Sequence, residues 1–317
     1  MSTPDRSEAT RGAPRVAPAW LVLGGIISVQ LGAVISKGQL DAVSPVGMVV
    51  LRLAATSLLL LAIARPRLRG RARGDWGAVA SLGVAIGAMN WAFYESLNRI
   101  PLGVAVAVEF VGPLALAAVT GRRRHRDLVW VVLAFAGVVL LGARPADIDL
   151  LGVGLALAAG AFWAMYILSA AATGRRWSGL DGLAVASTIA AVLVAPVGLT
   201  AAGDRLLEPQ LLLAGLMVGV LSSLLPYSLE MVALRRIAPS VFGILLSLEP
   251  AVAAVMAAAL LHEWLTPIEV LAVACVTVAS VGAVLRQPAP RRPEPAEQRL
   301  PGRPARRTRR RSTQHPS

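Results

Sequence analysis

The sequence predicts an all-α integral membrane protein with ten transmembrane helices, arranged as two inverted five-helix repeats. Of its 317 residues, 56% are hydrophobic and 15% are charged, whereas soluble domains average about 25% charged residues. Apolar segments of about 20 residues, long enough to cross about 30 Å of hydrocarbon, recur along the chain. Because a backbone in hydrocarbon must satisfy its own hydrogen bonds, these segments are predicted to be helices.

Short connections join the predicted spans, which favours antiparallel neighbours in one bundle without an inserted soluble domain. The first span is long enough to be a retained signal anchor. Residues 1–17 and 287–317 are polar and rich in Pro or Arg, and are predicted to be disordered tails. The ten spans are 19–37, 45–64, 76–98, 101–120, 127–143, 150–171, 180–201, 210–234, 240–261 and 266–285.

Two similar segments indicate the internal repeat. Residues 101–113, PLGVAVAVEFVGP, and residues 239–250, PSVFGILLSLEP, are apolar, carry one glutamate each and follow an Arg-Ile pair. The repeats are predicted to cover residues 18–143 and 150–286. Because each repeat has five spans, the two enter the membrane in opposite orientations. Many secondary transporters share this plan and bind substrate near the midplane, between the repeats.

Lysine and arginine residues predict the orientation of the chain. Twenty-six of the 31 lie in the two tails and the connections on the same side as the tails, so both termini are predicted to be cytoplasmic. The net charge of +13 is therefore interpreted as setting topology. Nucleic-acid binding is not expected, since no basic face interleaved with aromatic residues is visible. The basic tail is expected either to contact anionic lipids or only to reinforce the orientation.

No metal or cofactor is predicted. Cys275 is the only cysteine, which excludes an intrachain disulfide and a thiolate cluster. The three histidines are scattered without the spacing of metal ligands. No GxxxxGK[ST] phosphate loop is present, so the chain itself carries no ATPase.

Glu109 and Glu249 are the main candidates for a functional site, because a charge in hydrocarbon is costly and therefore marks function. At 1.5 Å per residue, Glu109 lies about 12 Å from the outer end of its span and Glu249 about 13 Å from the inner end. Arg52, about 10 Å deep, is predicted to face the interior, with Glu109 as its first candidate partner. A static ion pair and a pair that opens during transport both remain open.

Three prolines predict helix kinks. A proline inside a helix leaves the carbonyl four residues earlier without its usual donor. For Pro113 that carbonyl belongs to Glu109 itself. Pro226 and Pro250 are predicted to free carbonyls in the eighth and ninth spans in the same way.

The remaining candidates are a lysine and several polar residues. Lys37, the only lysine, lies at the outer end of the first span, where it either snorkels to the interface or holds a substrate carboxylate. Polar residues inside spans are interpreted either as lining a cavity or as forming interhelical hydrogen bonds. Those chosen as candidates for substrate or proton binding are Asn90, Tyr94, Tyr227 and Glu230.

Five blocks of sequence resemble one known family. They are SVQLGAVISK (28–37), VVLRLAATSLLLL (49–61), MNWAFYESLNRIPLGVAVAVEFVGPLA (89–115), GAFWAMYILS (160–169) and LPYSLEMVALRRIAPSVFGILLSLEPAVAAV (225–255). They resemble the drug/metabolite transporter superfamily, specifically its ten-helix members with two EamA-type repeats. Within these members they resemble the inner-membrane threonine/homoserine exporters. His262 departs from the pattern, because the family usually has a glycine before Glu263. The positions that match are Lys37, Arg52, Glu109, Pro113, Tyr227, Glu230, Glu249 and Pro250.

The resemblance implies export of small amino acids such as threonine and homoserine, driven by the proton gradient of the bacterial inner membrane. Together with the inverted repeats, it leads to the hypothesis of a secondary exporter that works by alternating access. Export of another metabolite or of a drug-like cation is the alternative. A non-transporting scaffold and an intramembrane enzyme acting on lipid are further alternatives. The enzyme would need a nucleophile–base pair or a metal cluster, and neither is visible, so the chain is predicted not to be an enzyme.

Overall fold

The computed structural model of the protein describes residues 18–120, 124–142, 149–226, 229, 233 and 245–285. These residues are almost entirely helical and include no β-strand. Both predicted tails lie outside the described residues. The candidates Tyr227 and Glu230 lie outside them as well.

The helices follow the predicted spans, so the all-helical membrane architecture is confirmed. Six helices are long and apolar enough to cross a membrane, and shorter apolar helices occupy predicted spans four, five, eight and nine. The α-helices are α1 Pro18–Lys37, α2 Pro45–Ala64, α3 Arg73–Leu97, α4 Leu102–Glu109, α5 Val111–Thr120, α6 Arg124–Gly142, α7 Leu150–Gly174, α8 Asp181–Ala202, α9 Pro209–Gly219, α10 Glu249–Met256 and α11 Pro267–Leu285. A 3₁₀ helix covers Gly203–Leu207, and π-helical turns cover Val220–Leu224 and Ala257–Leu261.

The outer surface of the bundle carries large apolar side chains along its helices. Leu58, Val132, Val192 and Val255, from four different helices, are all exposed. In water such a surface would drive aggregation, whereas hydrocarbon solvates it. The surface therefore fits a protein that is surrounded by lipid.

Helix packing pairs the two halves of the chain in a two-fold pattern. The pairs α2 with α8, α4 with α10 and α6 with α11 pack against each other, and each joins corresponding spans of the two predicted repeats. Span three packs on span six as α3 on α7, and span one packs on span eight as α1 on α9 and the π-helical turn that follows it. Exchanging the two repeats converts one of these contacts into the other. This is the arrangement expected of inverted repeats.

The bundle has two ends, which we call the Lys37 end and the Arg71 end. At the Arg71 end, the guanidinium carbon of Arg71 lies 4.1 Å from the ring centroid of Trp177, and Arg71 Nη2 lies 3.7 Å from Asp181 Oδ2. Trp177 Nε1 also donates to the Asp75 carbonyl at 3.1 Å. Cation–π and charge contacts thus fix the connection before α3 to the connection between α7 and α8.

At the Lys37 end, Asp149 caps the start of α7. Its carboxylate accepts hydrogen bonds from the Leu151 and Gly152 amides and from Arg99 Nη1, the last at 3.1 Å. The hydrogen bond from Arg99 lowers the pKa of Asp149. The stabilisation is therefore present above the pKa of the unfolded chain and is lost as the pH falls through the lowered value.

The tightest helix contact lies between α7 and the junction of α4 with α5. A Cβ atom on Gly160 would overlap the Glu109 carbonyl oxygen, and one on Gly112 would overlap the Gly160 carbonyl. Small residues at such a crossing let helix backbones approach closely. This contact holds α7 directly against the backbone of a predicted functional residue.

Gly160→Ala is expected to destabilise the protein, because the added methyl group has no space. Overpacking of this kind costs about 1–3 kcal/mol of the free energy of unfolding. Gly154, in the same helix, has open space where a Cβ would lie, so Gly154→Ala should be neutral or stabilising by up to about 1 kcal/mol. Thermal unfolding of the two purified variants in detergent tests this, and equal melting temperatures would contradict the contact.

Candidate functional site

Two short helices, α4 and α10, carry the predicted carboxylates and pack against each other. A Cβ on Gly103 would lie 2.7 Å from the Cα of Ala254, so the two backbones nearly touch. The helices run antiparallel, which brings Glu109, the last residue of α4, toward Glu249, the first residue of α10. The charge of Glu249 acts on the Glu109 carboxyl group. The two glutamates are therefore close enough to influence each other electrostatically.

Both glutamates lie where their span is interrupted. A turn at Phe110 separates α4 from α5, just before Pro113, and a turn at Ser247 and Leu248 precedes α10, whose second residue is Pro250. Each break therefore falls next to the proline that was predicted to disturb its helix. Discontinuous helices of this kind form the substrate and ion sites of many transporters.

A third irregularity lies before Pro226. Residues Val220–Leu224 form a π-helical turn, and the Leu225 amide donates to the Val220 carbonyl, five residues back. Pro226 has no amide hydrogen to donate to the Ser222 carbonyl. The regular α-helical pattern of hydrogen bonds to the fourth residue back is therefore interrupted here. π-Helical turns inside α-helices are frequent at functional sites.

α1 and α2 hold the π-helical turn in place through polar contacts. Ser28 Oγ donates to the Leu221 carbonyl at 2.6 Å, and Thr56 Oγ1 lies 3.3 Å from Ser223 Oγ. Gly32 leaves room for the Ser222 hydroxyl, since a Cβ on Gly32 would overlap it. These contacts join spans one and two of the first half to span eight of the second.

The Glu109 carboxyl group lies in a poorly solvated environment, whereas Glu249 is partly exposed. The Glu109 side chain is 9% exposed, and residues 102–108 of its helix are fully buried. Neighbouring negative charges repel strongly where the dielectric is low. A proton or an organic cation at this place would relieve that repulsion, so the pair is suited to binding one or the other.

Arg52 does not form the predicted ion pair with Glu109. Within the described residues, Arg52 contacts Tyr94. Arg52 Nη1 donates to Tyr94 Oη at 3.3 Å, and the guanidinium carbon lies 5.7 Å from the centroid of the Tyr94 ring. The positive charge nevertheless acts on Glu109 from a longer distance. The partner of Arg52 depends on the rotation of α2 about its axis, which the sequence pattern does not specify.

The Tyr94 hydroxyl group also contacts Ser36 of α1. Ser36 Oγ donates to the Gly32 carbonyl at 2.7 Å, so its short contact of 2.8 Å with Tyr94 Oη uses the Ser36 oxygen as acceptor. Arg52, Tyr94 and Ser36 therefore form a directed hydrogen-bond chain across three helices. Asn90, on the same face of α3 as Tyr94, is also buried, but its Nδ2 donates to the Ile86 carbonyl of its own helix.

Gln30 reaches Glu249 from α1. Its Nε2 donates to Glu249 Oε1 at 3.3 Å, and the residue is 1% exposed. This contact adds α1 to the two helices that carry the carboxylates. Among the described residues, no group of three His, Cys, Asp or Glu side chains is placed to hold a metal ion.

Lys37 is engaged in a cluster at its end of the bundle. Its Nζ lies 2.7 Å from Glu263 Oε1 and donates to the Ile100 carbonyl at 2.8 Å. The other oxygen of Glu263 accepts from the Leu102 amide at 2.9 Å, at the start of α4. The cluster fixes the ends of α1 and α4 to the segment after α10. These contacts use two of the three donors of the Lys37 ammonium group, so a substrate carboxylate would compete with Glu263 for its charge.

Comparisons with known proteins decide the family. Residues 150–285 match the EamA-like transporter family. The chain is 43% identical over 284 residues to the threonine/homoserine exporter RhtA of Salmonella typhimurium (strain SL1344), covering 86% of this chain and 95% of that protein. It is 42% identical over 281 residues to RhtA of Escherichia coli (strain K12), with the same coverage. The chain belongs to the EamA-like transporter family.

A solved crystal structure has a similar fold. It is 18% identical, covers 85% of this chain and 96% of its own, and superposes with a TM-score of 0.56, which at this identity shows a shared fold alone. The family match and the identity to the exporters confirm the resemblance that the sequence blocks indicated. The protein is a multi-pass membrane transporter and not an enzyme.

The turn at His262 shows how this EamA-like chain departs from its family pattern. His262 has φ 59° and ψ 27°, in the left-handed region that favours glycine. Such a conformation costs a residue with a Cβ about 1–2 kcal/mol. The turn is therefore formed despite the histidine, and Glu263 still reaches Lys37 and the Leu102 amide.

Sequence reasoning did not select three residues that the structure brings into these clusters. Gln30 and Ser36 contact candidate residues on other helices, and Glu263 holds Lys37. A lone polar residue in a span is weak as a signal, since most such residues only bond neighbouring helices. The family's glycine–glutamate turn is the one sequence feature that points toward Glu263.

Lys37→Met and Glu263→Gln are expected to change transport in the same direction and by a similar factor, since either substitution removes the ion pair. Gln keeps the carbonyl acceptor for the Leu102 amide, so the change isolates the charge. Initial rates of substrate efflux over a range of concentrations provide the measurement. A large rise in KM for Lys37→Met alone would instead assign Lys37 to the substrate carboxylate.

Proposed function

We propose that this chain exports small amino acids such as threonine and homoserine across the bacterial inner membrane. The observation that carries the proposal is the 42–43% identity to threonine/homoserine exporters over 86% of the chain. The similarity includes nearly the whole length of those proteins, so it covers both halves of the site. The family and its membrane fold agree with a transport function.

The chemistry of the site suits a zwitterionic amino acid. Glu109 and Glu249 offer negative charge for an α-ammonium group, and Arg52 with the Tyr94 hydroxyl offers positive charge and hydrogen bonding for an α-carboxylate. Charges of both signs inside the membrane favour a ligand that itself carries both. In this proposal the substrate lies between α4 and α10, with its carboxylate toward α2 and α3.

Proton coupling follows from the same pair of carboxylates. A proton and a substrate ammonium group both relieve the repulsion between Glu109 and Glu249, so binding of one disfavours binding of the other. Protons entering from the outer side would then displace the amino acid outward. The chain is therefore proposed to exchange an incoming proton for an outgoing amino acid.

Access to the site is proposed to alternate between the two ends of the bundle. The proposal takes the Lys37 end as the outer side and both termini as cytoplasmic, which the distribution of basic residues supports. The Lys37–Glu263 pair would close that end and open when substrate is released. The basic segment 287–317 would lie at the cytoplasmic surface, where it can contact anionic lipids.

Glu109→Gln is expected to abolish threonine efflux driven by a proton gradient, because the amide cannot take up a proton at neutral pH. The measurement is efflux of labelled threonine from proteoliposomes, with and without an imposed pH gradient. Glu208→Gln is the matched control, since Glu208 is an exposed carboxylate in a connection, and it should behave as the unsubstituted protein does.

Unchanged dependence of Glu109→Gln on the pH gradient would overturn the proton role. The same vesicles test the substrate class by competition with homoserine, other amino acids and drug-like cations. Competition by drug-like cations without competition by amino acids would favour the alternative function of cation export.

A further inference from the structure

Gln30 has a buried acceptor that no described residue uses. It lies near the middle of α1 and is 1% exposed. Its amide nitrogen donates to Glu249 Oε1 at 3.3 Å, while its amide oxygen, also buried, has no hydrogen-bond partner in the described part of the chain. A buried polar atom without a partner costs about 1–3 kcal/mol, so it needs an explanation.

The contact with Glu249 determines the orientation of the Gln30 side-chain amide. A carboxylate is an acceptor, so the side of the amide facing Glu249 must be the NH₂ group. The amide oxygen is bonded to the same carbon and therefore lies within a few ångströms of the carboxylate. A molecule that binds Glu249 through a cation can reach the Gln30 oxygen with a second donor.

The type of donor follows from the neighbouring charges. An ammonium group gains more from the two carboxylates than from a neutral amide oxygen, since charge-assisted hydrogen bonds are about twice as strong. The amide oxygen is then left for a neutral donor of the same molecule. Threonine and homoserine both carry a side-chain hydroxyl group close to the α-ammonium group.

We propose that Gln30 determines specificity by accepting a hydrogen bond from the side-chain hydroxyl of the substrate through its amide oxygen. The inference rests on the proposed function and deepens it, because it names the residue that recognises hydroxyl-bearing amino acids. A site built around such an acceptor discriminates against analogues without the hydroxyl, because the acceptor is left buried and unpaired.

Gln30→Met tests this assignment, because methionine has a similar length and no acceptor of comparable strength. Counterflow in proteoliposomes is compared for threonine and for 2-aminobutyrate, which is threonine without its hydroxyl. The unsubstituted protein should favour threonine by about tenfold, the value of one good hydrogen bond, and the variant should lose that preference. The variant also loses the hydrogen bond from Gln30 to Glu249 for both substrates, so the readout is the ratio of the threonine rate to the 2-aminobutyrate rate.

Gln30→Asn supplies a second test if the first variant does not fold. It keeps the amide but withdraws it by one methylene group, so it should also lose the preference for threonine. An equal fall for both substrates, or an unchanged preference, would overturn the role of Gln30 while leaving the proposed function intact. Failure of the unsubstituted protein to move either amino acid would overturn the proposed function and this inference together.

Discussion

The repulsion between two carboxyl groups in a poorly solvated bundle is the interaction on which the rest of the structure depends. Glu109 and Glu249 come from helices that correspond in the two halves of the chain, each lies at an end of its short helix, and the charge of Glu249 acts on Glu109. A membrane protein can retain such a pair only if another charge compensates it. Arg52 supplies one positive charge at longer range. In the proposed function, the two carboxyl groups bind a proton or an ammonium group.

Several features of the fold serve to hold this pair in position. The glycines at 112 and 160 let α7 approach the broken backbone next to Glu109. Gly103 lets α4 lie directly on α10. At the Lys37 end, Glu263 joins the segment after α10 to the first amide of α4. Close packing at one face and an ion pair at one end thus hold the helices that carry the two carboxyl groups.

The sequence predicted the parts of the site that local chemistry determines. Glu109, Glu249 and their neighbouring prolines could be found because a charge or a proline in an apolar span stands out within a few residues. Contacts between distant segments could not be found. Gln30 and Glu249 are 219 positions apart, and which residue Arg52 touches depends on a helix rotation that a broad apolar span does not specify. Lys37 was placed correctly at a helix end, but Glu263, which lies in a connection, gave no comparable signal.

The central claim is that Glu109 and Glu249 act as one site, and a double-mutant cycle tests it most directly. Threonine counterflow would be measured in proteoliposomes for Glu109→Gln, Glu249→Gln and the double variant, each corrected for the amount of folded protein. If the carboxyl groups share one ligand, the double variant should lose little more activity than the more severe single variant, with losses non-additive by about tenfold or more. Losses that simply multiply would show two independent groups and would contradict the account.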